Sequence, residues 1–190
     1  MEDPDLALVK ALQAGDDRAF DELLRRHTDA VYRFVRRYVE SDADAKDLTQ
    51  EAFVRAYFGV RNFTSRAKFV TWLFRIAHNL CIDSLRSRRF LSVRKPFSVD
   101  ESDRSNQMAR LESTLASPTQ ELTKREKLAA VDRAIQQLPV NLRIPLVLVA
   151  LEGFSYAAAA AVLRISPKAV EMRLYRARKV LLKQLSALDL

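Results

Sequence analysis

The sequence predicts an all-α protein of two small helical domains joined by a polar linker, and three observations predict it. Apolar residues recur at helical spacing over long stretches near both ends. Nothing alternates with a strand's period of two for long enough to matter. The middle of the chain loses both patterns and turns to Ser, polar residues and acids. A length of 190 residues has room for two such domains.

The elements follow in order. Leu6, Val9 and Leu12 mark a short first helix that Gly15 ends, and Asp16 or Asp17 can cap the next. Phe20, Leu23, Leu24, His27, Val31, Phe34, Val35 and Tyr38 then keep one helical face over five turns. A third helix begins near Asp42 or Asp44, with Leu48, Ala52, Phe53, Ala56 and Tyr57 inward. A fourth runs from about Phe69 to Arg88 on Leu73, Ile76, Ala77, Leu80, Cys81 and Leu85. These make an N-terminal domain over residues 1–92. Residues 93–122 read as a flexible acidic linker. The second domain, 123–190, opens with a helix on Leu128, Val131, Ile135 and Leu138 that Pro139 stops. Another covers Leu142 to Glu152, and Gly153 breaks it. Ser155 caps a short helix, Tyr156 to Leu163; Arg164-Ile165-Ser166 turns the chain, and Ser166-Pro167 starts a long last helix.

Composition removes several functions. Three glycines, far apart, cannot build a phosphate-cradling loop. One cysteine and two histidines cannot form a zinc site of the usual kind or a disulfide framework, so no metal or cofactor is expected. The lone cysteine fits a reducing compartment, and a cytoplasmic location is expected. The first twenty residues carry acids and no apolar core, unlike a signal peptide. No apolar run is long enough to cross a bilayer. The net charge of +8 divides into +4 over residues 1–95, −3 over 96–122 and +7 over 123–190. Basic segments around an acidic one favour a polyanion as partner, because each neutralised phosphate releases counterions.

Three constellations carry the chemistry. The short helix, tight turn and longer basic helix of residues 155–185 form a helix-turn-helix pattern. At 100° per residue, Val170, Leu174, Ala177 and Leu181 face inward. Lys168, Met172, Tyr175, Arg176 and Lys179 face outward, with Glu171 and Arg178 on one edge and Arg173 on the other. That face suits phosphates and base edges. Glu171 either accepts from a cytosine amino group or pairs with Arg178. The second constellation is Asp47, Gln50 and Glu51, at i, i+3 and i+4 on an exposed helix face, an acidic patch that suits a protein partner. No nucleophile or second acidic cluster accompanies it, so an active site is not expected. In the third, Arg66, Lys68, Phe69, Trp72, Arg75 and Asn79 interleave aromatics with cations. Stacking beside backbone-neutralising charge is how single strands are held, and an amide can read a flipped base.

In this order the segments resemble the bacterial sigma-70 family, and within it the extracytoplasmic function (ECF) group. Asp47-Leu48-Thr49-Gln50-Glu51-Ala52-Phe53 is similar to region 2.2, which implies binding to core RNA polymerase. Phe69 to Arg88 is similar to regions 2.3 and 2.4, which implies melting and reading of the −10 element, with Asn79 at a flipped base. Leu138-Pro139 and Glu152 through Arg178 are similar to region 4, the reader of the −35 element. The resemblance further implies an anti-sigma factor, often membrane-bound, as inhibitor. Two departures stand out: Arg164 replaces the glycine that usually begins the turn, and Glu171 stands where a base is common. A free-standing helix-turn-helix regulator would leave the Asp47 patch and the Trp72 segment unused. A recombinase would need a nucleophile.

Overall fold

A computed structural model describes residues 3–94 and 119–186, and among them every regular element is helical. The first body contains α1 (Leu6–Gln13), α2 (Asp17–Arg36), α3 (Asp42–Gly59) and α4 (Phe69–Arg94), with a 3-10 turn over Val60–Asn62. Asp16 caps α2 by accepting from the Arg18 amide at 3.1 Å, and Ser41 caps α3 from the Asp44 amide at 3.3 Å. The α2 stripe packs as its spacing predicts: Leu23, Val31, Phe34 and Val35 are fully buried. Phe74 of α4 joins them, its ring 5.0 Å from that of Phe34. Burying such side chains is worth about 1.5–3 kcal/mol each.

The second body contains α5 (Thr119–Gln137), α6 (Val140–Leu146), α7 (Tyr156–Leu163) and α8 (Pro167–Ser186). Pro145 lies inside α6 and cannot donate to the carbonyl one turn back, and the ladder widens into a π turn over Val147–Leu151. The sequence predicts a single helix there. Ser155 caps α7 and Ser166 caps α8, each accepting an amide three residues on at 3.1 Å. Leu128, expected inward, is 62% exposed. The buried side of α5 runs through Ala130, Ala134, Ile135 and Leu138, and Leu128 sits about a quarter turn off it.

Both helices flanking the linker extend further than the periodicity suggests, α4 to Arg94 and α5 from Thr119. The rest of the linker, 95–118, lies outside the described residues. The two bodies do not stand apart. α7 packs on α4, the Phe154 ring lies 5.0 Å from that of Phe74, and the buried side chains of both bodies form one continuous cluster.

Candidate nucleic-acid and protein interfaces

The aromatic–cationic segment is built by packing rather than by one helix face. Gln13 of α1 donates its side-chain amide to the Val60 and Phe63 carbonyls at 2.8 and 3.0 Å, which fixes the turn after α3. Asp3 accepts from the first amide of α4, that of Phe69, at 2.6 Å. Between turn and helix opens a cavity of about 290 Å³ walled by Asn62, Thr64, Arg66, Thr71, Trp72 and Arg75. Trp72 packs on Phe63 and Phe69, with ring centroids 5.2 and 5.8 Å apart, and remains half-buried. A Cβ on Gly59 would meet the indole at 3.1 Å, so this glycine permits the close approach.

The six residues expected here therefore divide. Arg66, Trp72 and Arg75 meet at the cavity. Asn79 continues the Trp72–Arg75 face of α4 a turn further on, half-exposed and outside the cavity walls. Lys68 is half-buried beside them. Phe69 leaves the set: at 1% exposure among His27, Phe63 and Trp72 it supports the indole from below and has no face for a base. Asn62, Thr64 and Thr71 are polar walls that periodicity could not single out, because the loop carries two of them.

The outer face of α8 matches its helical wheel. Val170, Leu174 and Ala177 are buried, and Lys168, Glu171, Met172, Tyr175, Arg176, Arg178 and Lys179 are exposed. Tyr175 is 63% exposed, a large apolar body with no neighbour to cover it. Glu171 pairs with Lys168 at 2.9 Å, and not with Arg178. Arg173 is half-buried and lines a cavity of about 650 Å³ shared with His78, Ile82 and Leu85 of α4. Arg164 sits in the left-handed region, φ 53°, at the turn.

On α3, Asp47 and Gln50 are exposed, and Glu51 is half-exposed and paired with Arg55 at 2.7 Å. Two apolar side chains extend the same face: Val54 and Phe58 are 48% and 72% exposed. With Phe20, Leu24, Phe53 and Tyr57 they line a groove of about 530 Å³ between α2 and α3 that Gln50 also borders. The α3 pattern gave its inward stripe but not this strip, which lies i, i+4 on the opposite edge.

Fold and faces together define an all-helical protein with two cationic faces that carry aromatic side chains and a third that is acidic and apolar. Sigma-70 region 2 matches residues 23–90, and Sigma-70 region 4 matches residues 128–181. The RNA polymerase sigma-H factor of Pseudomonas aeruginosa is 34% identical over 190 residues, 98% of this chain and 96% of that protein. The ECF RNA polymerase sigma-E factor of Escherichia coli K12 is 34% identical over 181 residues, 93% and 92% of the two chains. A solved structure of CnrH, in complex with the cytosolic domain of CnrY, superposes with a TM-score of 0.67 at 30% identity, covering 96% of this chain and 97% of that one. The chain belongs to the sigma-70 family, in its extracytoplasmic function group.

Proposed function

We propose that the chain docks on core RNA polymerase through α3, reads the −10 element with α4 and its loop, and reads the −35 element with α8. The observation that carries this is the separation of surfaces by chemistry. Asp47, Gln50, Val54 and Phe58 share one face of α3, acidic at one end and apolar at the other, whereas Arg66, Arg75 and the half-buried Trp72 meet at the α4 cavity and α8 carries exposed cations with the exposed Tyr175. An acidic rim on an apolar strip suits a protein helix and repels phosphate. The aromatic-floored, arginine-edged cavity suits an unstacked base, and α8 has the long exposed donors that a major groove requires. Catalysis stays with the polymerase, and the chain supplies promoter choice and the start of strand separation. An anti-sigma factor as its inhibitor belongs to the same reading; the similar CnrH is captured with the cytosolic domain of CnrY.

Glu51→Lys, alone and with Phe58→Asp, tests the docking face. Both positions are away from the core, so thermal melts are expected to stay near those of the unmodified chain. Association with purified core is expected to weaken by about 2 kcal/mol or more for the double variant. Undiminished co-purification of a folded double variant would remove α3 from the polymerase contact.

A further inference from the structure

A second stripe of α4 belongs to none of the proposed contacts with polymerase or promoter. His78, Ile82 and Leu85 follow one another at i, i+4 and i+7, and together they line the cavity of about 650 Å³ that Arg173 also borders. Ile144 and Pro145 of α6 are its buried aliphatic walls, and Leu163 and Ile165, flanking the α7–α8 turn, are half-buried ones. Tyr38 also lines it, but at 6% exposure its ring is too covered to stack on a ligand. The charged groups are all of one sign: Arg86 and Arg173 border the cavity, and no carboxylate does among the described residues. We propose that this cavity binds a small amphipathic anion, an aliphatic carboxylate whose chain covers the α4 stripe and whose headgroup meets Arg86 and Arg173.

Each part of that ligand has a counterpart in the cavity. Apolar walls with a few polar groups are what small-molecule sites are made of, and the volume falls within their range of about 300–1,000 Å³. Ile82, Leu85, Leu163 and Ile165 are only half-buried, so they still present apolar surface that a chain would take out of water. Aliphatic walls without a free ring favour a flexible chain over a flat aromatic body. At the charged end, Arg173 makes no ion pair or hydrogen bond among the described residues, so its donors are unspent. Arg86 meets only Asp83, at 4.0 Å with both side chains exposed, a pair that a closer carboxylate outcompetes. A guanidinium fork matches the two oxygens of a carboxylate. Burial, and then the charge of Arg164, hold the pKa of His78 below the ordinary 6.5, so at neutral pH its ring is an uncharged wall beside the chain. A nucleic-acid backbone is the poorer fit, because Arg173 is half-buried among aliphatic side chains and phosphates keep to open cationic surface.

Isothermal titration calorimetry of the full-length chain with decanoate, octanoate and decyltrimethylammonium provides the test. Decanoate is expected to bind saturably, with about one molecule per chain. Octanoate, two methylenes shorter, is expected to bind about fifteenfold more weakly, at about 0.8 kcal/mol per methylene. The cationic chain of the same length is expected not to bind. Leu85→Trp fills the cavity from a half-buried position, and Arg86→Gln removes a headgroup contact from an exposed one. Circular dichroism and thermal melts check that both fold, and Ile165→Trp, which fills the cavity from the α7–α8 turn, replaces Leu85→Trp if that variant does not. The filling variant is expected to weaken decanoate about tenfold or more. Arg86→Gln is expected to weaken it about threefold to fivefold. The site is overturned if decanoate does not bind, if several molecules load on each chain, or if a folded filling variant binds as well as the parent. Equal binding of decyltrimethylammonium, or an unchanged affinity in Arg86→Gln, overturns the anionic headgroup and with it the proposed ligand class.

Discussion

The proposed reading surfaces on α4 and α8 are made in opposite ways. The outer face of α8 is a property of one helix: its cations and Tyr175 are exposed, and its fold is held by Val170, Leu174 and Ala177 on the far side. The α4 cavity is a property of packing. Its floor is Trp72, held by Phe63, Phe69 and the bare backbone of Gly59, and its loop is tied by Gln13 from another helix. Function and stability are therefore separable on α8 and entangled on α4. Substitutions can measure that difference.

The largest effect is expected from Trp72→Ala. Removing a half-buried indole that three elements pack against costs about 3 kcal/mol of stability and takes away the cavity floor. A lowered melting temperature and lost permanganate reactivity at the −10 element are expected together. Asn79→Ala, on the same face but outside the cavity, is expected to leave melting temperature near normal and to weaken opening alone. If Asn79→Ala opens promoters normally, the flipped base belongs to the cavity of Trp72 and Asn62, and Asn79 drops out.

On α8 the expected effects are smaller and fall on binding alone. Arg176→Ala, at the centre of the exposed face, is expected to cost about 1–3 kcal/mol at the −35 element and to relax preference at one base pair. Lys168→Ala is expected to weaken all sequences alike and lower the salt slope by about one. The Lys168–Glu171 pair complicates this, since losing Lys168 also frees a carboxylate beside DNA. Sequence selection with Glu171→Ala separates the roles. A changed preferred base makes Glu171 a reader, and an unchanged one makes it the partner that holds Lys168 in place.

How much could be read in advance follows the same division. Most helix starts, the caps and the α8 wheel are local, set by 3.6-residue spacing and by serines before amides, and they were legible; the far end of α4, the start of α5 and the π turn after Pro145 were not. The α4 cavity was legible only as a composition of aromatics and cations. Which of them line it depends on contacts between α1, the 60–63 turn and α4, so Phe69 looked like a reader and is core, and Asn62 and Thr64 went unremarked. The groove beside Val54 and Phe58 was invisible because two exposed apolars in a helix read as ordinary. The contact between the bodies was hidden for a related reason: no local spacing pairs Phe74 with Phe154.

A weaker perturbation reaches the contact between the two bodies through pH. His78 accepts from or donates to the Tyr38 hydroxyl at 2.5 Å and lines a cavity with Ile144 of α6. Burial first, and Arg164 second, hold its pKa below the ordinary 6.5. Arg86 and Arg173 line the same cavity, so the cations around it agree in sign. A depressed folded value means that the packed state prefers the neutral ring. Its contribution is intact above pH 6.5 and is lost as pH falls from there through the lowered value. The melting temperature is expected to decline over that window, and His78→Gln is expected to flatten the decline. A decline of equal size in His78→Gln would place the titration elsewhere.

The smallest effect belongs to the turn of the helix-turn-helix. Arg164 ends α7 at φ 53°, ψ 45°, where an L side chain is strained by about 1–2 kcal/mol and glycine is not. Arg164→Gly relieves that strain and gives back part of it, about 0.5–1 kcal/mol, in the greater freedom of the unfolded chain. The net is a gain of about 0.5 kcal/mol, a rise of one to a few degrees in the melting temperature of this body. The same substitution removes the charge that helps depress the His78 pKa, so the pH window of His78 is expected to move up toward 6.5. DNA binding by α8 is expected to hold, since Arg164 lies in the turn and off the reading face. Thermal melts at neutral pH and across the window below pH 6.5, measured on the one variant, check both expectations. A melting temperature that falls would mean that Arg164 holds the turn by a contact worth more than its strain.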